Sequence, residues 1–319
     1  MKKILAILCA VCMLFALSAT AFAADSFTVG VCQLVQHPAL DAATQGFIDA
    51  LTEALGEGAV DFNVQNASGD SATCSIIASQ FISDEVDLIL ANATPALTAT
   101  ANATPDIPVL GTSVTDYASA FELEDWDSRD IALNVSGTSD GVPAEEYAKL
   151  LNELFPDAKN VGILYCSGEP NSLFQADQIR PFLEEMGYKV KDYTFADSND
   201  VFSVTGTACD DSDVLYIPTD NTAASNAELI NSVVLEKKVP VVAGEENLCA
   251  GCGCVTLSIS YYDLGVVTGK MAAKILTGEA KPGDMPIEYA PFEKKFNAVN
   301  CEANGIELPE GFVAIETEG

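Results

Sequence analysis

Basic side chains are scarce in this chain. Fifteen lysines and arginines stand against 47 aspartates and glutamates, with one histidine, His37, and one tryptophan, Trp126. A formal net charge of −32 argues against nucleic acid or an anionic membrane surface as partner. With one imidazole, any Ser-His-Asp or Cys-His arrangement must use His37, which sits beside Pro38, and no Gly-x-Ser-x-Gly elbow occurs. No glycine-rich phosphate loop follows the first strand candidate, where Gln33-Leu34-Val35 stands instead. Nucleotide binding and hydrolytic catalysis are therefore not expected.

Long apolar runs are also missing, except at the start. Met1-Lys2-Lys3, the apolar run from Ile4 to Leu17 and Ala21-Phe22-Ala23 form the n-region, h-region and cleavage site of a secretory signal peptide over 1–23. Cleavage after Ala23 would remove Lys2 and Lys3 and take the net charge from −32 to −34. The product is expected to be exported and extracellular, cell-surface or periplasmic. Neither Cys9 nor Cys12 has the small-residue context of a lipidated cysteine, which favours a released or electrostatically held protein. Export permits disulfides among the remaining cysteines without requiring them. Cys249-Ala-Gly-Cys252-Gly-Cys254 leaves three readings open: a local disulfide, free structural thiols, or a metal site with Cys301 as distant fourth ligand. No metal and no cofactor are expected.

What is present is a repeat. Val29-Gly30-Val31 matches Val161-Gly162-Ile163, and Ile107-Pro108-Val109-Leu110 matches Val239-Pro240-Val241-Val242, each pair 132 residues apart. A fixed offset across two halves suggests one α/β unit built twice, with a ligand cleft between. Strand candidates lie at 27–33, 59–65, 86–91, 107–111, 160–166, 188–195, 213–218, 239–243 and 254–259. Helical patterns fill the intervals 40–56, 71–83, 94–103, 143–155, 171–186, 199–209, 222–236 and 260–277. Asp41, Ser71, Thr94, Ser172 and Thr222 offer N-caps. This alternation predicts parallel doubly wound sheets.

In such sheets ligands bind beyond the carboxyl ends of the strands. The strand-end loops are 33–38, 92–94, 111–117, 166–172, 218–221 and 243–246, and none contains Lys or Arg. A phosphate or dicarboxylate ligand normally meets a guanidinium or ammonium group. Here the positive ends are helix N-termini at Thr94, Ser172 and Thr222, which suit one carboxylate. Asp116, Asp220, Glu245 and Glu246 suit an ammonium, although each taken singly can equally cap a helix. One carboxylate plus one ammonium is an α-amino acid. Leu34, Val35, Tyr117, Tyr165 and Phe174 flank the loops as candidate walls for an apolar side chain.

The stretches VGVCQLVQHPALDAATQGFIDAL, QNASGD, NATPAL, GTSVTDYASA, NVSGTSD, LYCSGEPNS, YIPTDNTAAS, AGEE and LSISYYDLG resemble the ABC-transporter substrate-binding protein family, closest to its tryptophan and aromatic amino-acid uptake branch. The resemblance spans nearly all of 27–312. It implies a type I periplasmic-binding-protein fold, two Rossmann-like lobes with parallel sheets joined by a three-segment hinge. It also implies a monomer that hands an amino acid, aromatic in this branch, to a membrane ABC permease. Carried over by position, the first lobe contributes Gln33, His37, Asn92, Thr94, Ser113, Thr115, Asp116 and Tyr117. The second contributes Glu169, Asn171, Ser172, Asp220, Asn221 and Glu245, with Ser258 at a crossing. The hinge is expected near Ser136-Gly137, Thr256–Ser258 and Gly283–Met285, giving lobes of 25–136 plus 257–284 and 137–256 plus 285–319. A sensory module for a membrane receptor, and an exported enzyme using a cleft thiol, are the alternatives of other classes.

Overall fold

Residues 26–128 and 134–315 are described by the computed structural model, so the expected signal peptide falls outside the described residues. Strands β1 (Phe27–Gln33), β2 (Val60–Asn66), β3 (Leu88–Asn92), β4 (Val109–Val114) and β5 (Val135–Ser139) pair in parallel in the order β2-β1-β3-β4-β5. Strands β6 (Asn160–Cys166), β7 (Lys189–Phe195), β8 (Val214–Ile217), β9 (Val241–Ala243) and β10 (Val255–Ser258) repeat that order as β7-β6-β8-β9-β10. The sequence repeat has a structural counterpart in detail. Ile89 N–H donates to the Pro108 carbonyl at 2.9 Å, and Leu215 N–H donates to the Pro240 carbonyl at 2.9 Å. Each proline thus enters a central strand at a point where only its carbonyl is needed.

Helices α1 (Pro38–Leu55), α2 (Ser71–Ser83), α3 (Thr94–Ala103) and the single turn α4 (Tyr117–Ala120) cover the first sheet. Helices α5 (Ala144–Leu154), α6 (Pro170–Glu185), α7 (Val201–Asp211), α8 (Asn221–Ser225), α9 (Ala227–Lys237) and α10 (Glu246–Cys252) cover the second. The pattern read as one helix over 222–236 is two, α8 and α9, separated at Asn226. The N-caps also sit before the expected positions. Asp70 and Asp220 cap with their side chains, while Ala93, at φ 93°, precedes α3 without a side-chain bond.

The last segments are shared between the sheets. Helix α11 (Tyr261–Leu276) packs on α1, and β11 (Glu288–Tyr289) pairs with β5, so both belong to the first lobe. β12 (Glu293–Phe296) runs antiparallel to β10, and β13 (Val313–Ala314) pairs with β12 beyond α12 (Ala298–Asn304). Among the described residues the chain therefore passes between sheets at 140–143, 259–260 and 290–292. The first and third passages lie later than the expected positions near Ser136-Gly137 and Gly283–Met285. Thr138 and Ser139 pair with Glu288 and Tyr289, the Ser136 hydroxyl donates to the Met285 carbonyl at 3.1 Å, and Met285 is buried in the first core. The second passage follows Ser258, because Thr256 to Ser258 pair within the second sheet.

Strand β5, Val-Ser-Gly-Thr-Ser, escapes the apolar pattern altogether, yet all five residues are buried. Its hydroxyls make burial possible: Thr138 Oγ1 is 2.9 Å from Thr268 Oγ1 on α11 and 3.2 Å from Thr112 Oγ1 on β4. Helices α1 and α11 meet backbone to backbone. A Cβ built on Gly265 would stand 2.0 Å from the Ala43 carbonyl oxygen, with no flexible side chain able to yield. Gly265→Ala is expected to cost about 1–3 kcal/mol by overpacking, read as a lower urea midpoint. Gly206, inside α7 with nothing within 4 Å of its built Cβ, is the control. Gly206→Ala is expected to be neutral or to add up to about 1 kcal/mol.

Candidate ligand-binding site between the lobes

The carboxyl ends of both sheets face each other across a narrow, nearly closed cavity. His37, Ser113, Thr115 and Asp140 line it from the first lobe, and Asn171, Asp220, Asn221 and Glu245 from the second. Two hydrogen bonds cross the cleft: His37 Nε2 to Asn221 Oδ1 at 3.2 Å, and Gln175 Nε2 to Thr115 Oγ1 at 3.3 Å.

The second lobe's carboxylates are engaged with their own helix starts. Asp220 accepts from Ala223 N–H and Cys166 N–H, both at 2.7 Å, tying α8 to the end of β6. Glu169 accepts from Asn221 N–H at 2.9 Å, and from Asn221 Nδ2, Thr222 N–H and Thr222 Oγ1 at 2.7 Å. Glu245 caps α10 through Asn247 N–H at 2.6 Å and Leu248 N–H. The positive ends of α8 and α10 thus already hold side-chain carboxylates. Burial, and then the charge of Glu169, push the Asp220 carboxyl upward against the two amides that favour its ionised form. Burial raises Glu245 to about 7.

Asp140, one residue beyond β5, was not among the expected site residues. Its Oδ2 accepts from the Tyr261 hydroxyl at 2.8 Å, while its buried Oδ1 has no hydrogen-bond partner. Burial raises its pKa, against the hydroxyls of Tyr261 and Thr115. Three further buried polar atoms of the cavity lining also lack partners: His37 Nδ1, Ser113 Oγ and Asn171 Oδ1. Their chemistry can be worked out from the network. Asn221 Nδ2 donates to Glu169, so Asn221 Oδ1 accepts and His37 Nε2 carries the proton. Burial lowers the His37 pKa, so the ring is neutral and Nδ1 is a bare acceptor. Asn171 Nδ2 donates to the Thr219 carbonyl at 2.8 Å, leaving Oδ1 as acceptor. Ser113 holds a left-handed φ of 55° at the end of β4.

The remaining expected site residues stand outside the cavity lining. Gln33 bonds Asp41 and Thr44, and Asn92 donates to the Leu40 carbonyl and Thr44 Oγ1, so both brace α1. Thr94 is buried in the first turn of α3 with an unpartnered hydroxyl. Ser172 is buried with its hydroxyl on the Thr219 carbonyl at 3.3 Å. Asp116 caps α4 through Ser119 N–H at 2.6 Å. Tyr117 packs behind β4 against Trp126, its hydroxyl on the Thr138 carbonyl at 3.1 Å. Ser258 bonds Glu246. These side chains are consumed by packing because a strand-end loop has two faces, and sequence does not say which faces the cleft. Thr115 also borders a wider groove, lined among others by Val142, Phe174, Tyr289 and Phe292, while Leu34 and Val35 line an opening elsewhere on the cleft. Of the expected ring walls, Tyr165 is buried in the second core.

Cys166 also borders the cleft, but burial pushes its thiol upward and away from nucleophilic thiolate character. Among the described residues no group of three or more His, Cys, Asp or Glu is arranged to hold a metal ion.

Two parallel-sheet lobes with three chain passages and a polar cleft define a type I periplasmic-binding-protein fold. Residues 28–318 match the family model described as ABC transporter substrate binding protein, and the chain belongs to that family. A domain from Streptococcus pneumoniae in complex with L-Trp is 30% identical, with 91% of this chain and 100% of that chain covered and a TM-score of 0.85. The ligand-free, open structure of a substrate-binding protein with adhesive properties from Clostridium difficile is 37% identical, covering 92% and 100%, with a TM-score of 0.67. A tyrosine-binding protein of Clostridioides difficile is 36% identical over 261 residues, 81% of this chain and 75% of that protein.

The raised Glu245 carboxyl sets a pH dependence for the ligand-free protein. The folded state keeps that proton where the unfolded state has lost it, so stability falls as pH rises from about 4.3 through about 7. Melting temperature is expected to drop between pH 5 and pH 8, and Glu245→Gln to make that drop shallower. A slope identical in wild type and variant would contradict the raised value.

Proposed function

We propose that this protein captures an aromatic L-amino acid between its lobes and delivers it to an ABC permease on the outer side of a membrane. One observation carries the reading: three bare acceptors, Asp140 Oδ1, His37 Nδ1 and Asn171 Oδ1, line one cavity that both lobes build and that no lysine or arginine lines among the described residues. An ammonium group has three N–H donors and one positive charge, which matches three acceptors of which one is a carboxylate. The ligand's carboxylate goes to the first lobe, to the Ser113 and Thr115 hydroxyls. In the second lobe the helix starts at α8 and α10 are already taken by Asp220, Glu169 and Glu245.

The side chain extends past Thr115 into the groove bordered by Phe174, Tyr289 and Phe292. The tryptophan-bound and tyrosine-binding relatives support an aromatic side chain on the ligand. Export is the expected location, and the first and third chain passages, which border that same groove, serve as hinge segments.

A melting screen against the twenty amino acids tests the reading. A ligand at about 100 times its Kd adds roughly 2.7 kcal/mol, or on the order of 4 °C for a protein of this size. Tryptophan, tyrosine or phenylalanine is expected to give that shift, and no shift with any amino acid would sink the proposal. Asp140→Asn is expected to weaken binding roughly ten- to a hundredfold, the worth of a hydrogen bond to a charged group. An ammonium entering beside the Glu245 carboxyl, raised to about 7, displaces its proton. Affinity is therefore expected to rise from pH 5 to pH 8. Calorimetric enthalpy is expected to vary between buffers in the sense of proton release.

A further inference from the structure

Eight cysteines lie among the described residues, all buried and all unbridged. Four of them form two contacting pairs, one in each lobe. In the first lobe, Cys32 on β1 and Cys74 in the first turn of α2 are both fully buried in one apolar cluster, their thiols close enough to shift each other's ionisation. In the second lobe, Cys254 immediately before β10 meets Cys301 on α12, whose thiol donates to the Cys254 carbonyl at 3.3 Å. Cys254 Sγ donates in turn to the Asn300 carbonyl at 3.7 Å, and both cysteines lie in a single core cluster. Cys301 rather than a neighbour within Cys249-Ala-Gly-Cys252-Gly-Cys254 is therefore the contact partner of that motif's last thiol. Cys166 and Cys209 contribute to neither pair, and Cys249 and Cys252 sit one turn apart on α10.

We propose that Cys32–Cys74 and Cys254–Cys301 are disulfide-forming sites, one covalent staple inside each lobe, oxidised by a small disulfide such as glutathione disulfide while the chain folds. The chemistry is thiol–disulfide exchange. One cysteine thiolate attacks the donor disulfide, giving a mixed disulfide and one departing donor thiolate, which takes up the proton the cysteine lost. The partner cysteine, deprotonated in turn, attacks the mixed disulfide, forms the protein S–S bond and expels the second donor thiol. Two protein thiols lose two electrons, and one donor disulfide is reduced to two thiols.

Timing follows from burial. Cys32 and Cys74 have no exposed surface in the folded protein and Cys254 and Cys301 almost none, so a donor reaches them only before the cores close. Each staple joins a strand to a helix within its own lobe, so neither one crosses the cleft. Each closes a loop of more than forty residues, 32–74 and 254–301. Bridging such loops restricts the unfolded chain and raises the melting temperature.

Two preparations of the full chain test this. One is unfolded with reductant and refolded in a reduced/oxidised glutathione mixture; the other is folded reduced and then exposed to the same mixture. Both are blocked with N-ethylmaleimide in denaturant and mapped by mass spectrometry without reduction. The first is expected to yield the Cys32–Cys74 and Cys254–Cys301 peptides, with Cys166, Cys209, Cys249 and Cys252 alkylated. The second is expected to be alkylated at all eight positions. Cys74→Ala is expected to lose the first bridge, leave Cys32 alkylated and keep the second. All eight thiols alkylated after oxidative refolding, or bridges joining other partners such as Cys249 with Cys252, would overturn the assignment. The bridged protein is expected to melt several degrees above its reduced form; equal melting would overturn the stabilising role.

Discussion

Four carboxyls, Asp140, Glu169, Asp220 and Glu245, are buried around one cleft whose lining, among the described residues, holds no lysine or arginine. A buried, unpaired carboxylate is costly, and the architecture of the cleft is largely the set of groups that compensate these four. Backbone amides at helix starts do most of it, which fixes where α8 and α10 begin and how they dock on β6 and β9. The Tyr261 hydroxyl does it for one oxygen of Asp140, and so ties the start of α11 to the end of β5. Only the second oxygen of Asp140 is left without a partner. In a chain of this acidity, that is the position where a ligand's positive charge is worth most. A fixed lysine there would satisfy the carboxylate permanently and remove the incentive to bind.

Much of the architecture was legible in the sequence because it is periodic. Gly30 and Gly162, and Pro108 and Pro240, mark equivalent strands, and the two sheets share one strand order. The unbroken apolar runs of β1 and β6 are what a parallel strand covered on both faces requires. Strand β5 was not legible. Ser136, Gly137, Thr138 and Ser139 carry no apolar signal, and their burial depends on hydroxyl partners from α11, β4 and the segment before β11, all distant in sequence. Missing β5 meant missing Asp140 at its end and setting two of the three passages too early.

The site residues divide along the same line. Loops at strand ends were identifiable from alternation alone, and His37, Ser113, Thr115, Asn171, Asp220, Asn221 and Glu245 do line one cavity. Which oxygen is free was not identifiable. Asp220 and Glu245 look like ammonium ligands in one dimension, but backbone amides at the starts of α8 and α10 occupy them. Tyr117 looks like a ring wall, yet packing against Trp126 and the Thr138 carbonyl turns it inward. Contacts made through backbone amides leave almost no trace in residue identity.

The seating of α11 against α1 bears on how the chain becomes a protein at all. Each half carries a full copy of the repeated strand order, so the two halves look separable. They are not, because the helix that fits the Gly46 face of α1 is made only after β10, and β12, which completes the second sheet beside β10, is made later still. A chain interrupted after β5 would leave an apolar helix face without its partner. Neither lobe can close its core until the final fifth of the sequence has been synthesised. The fold thus postpones commitment: two nearly finished units wait on one C-terminal segment, and their contacts of long sequence separation place folding at the slow end of the range.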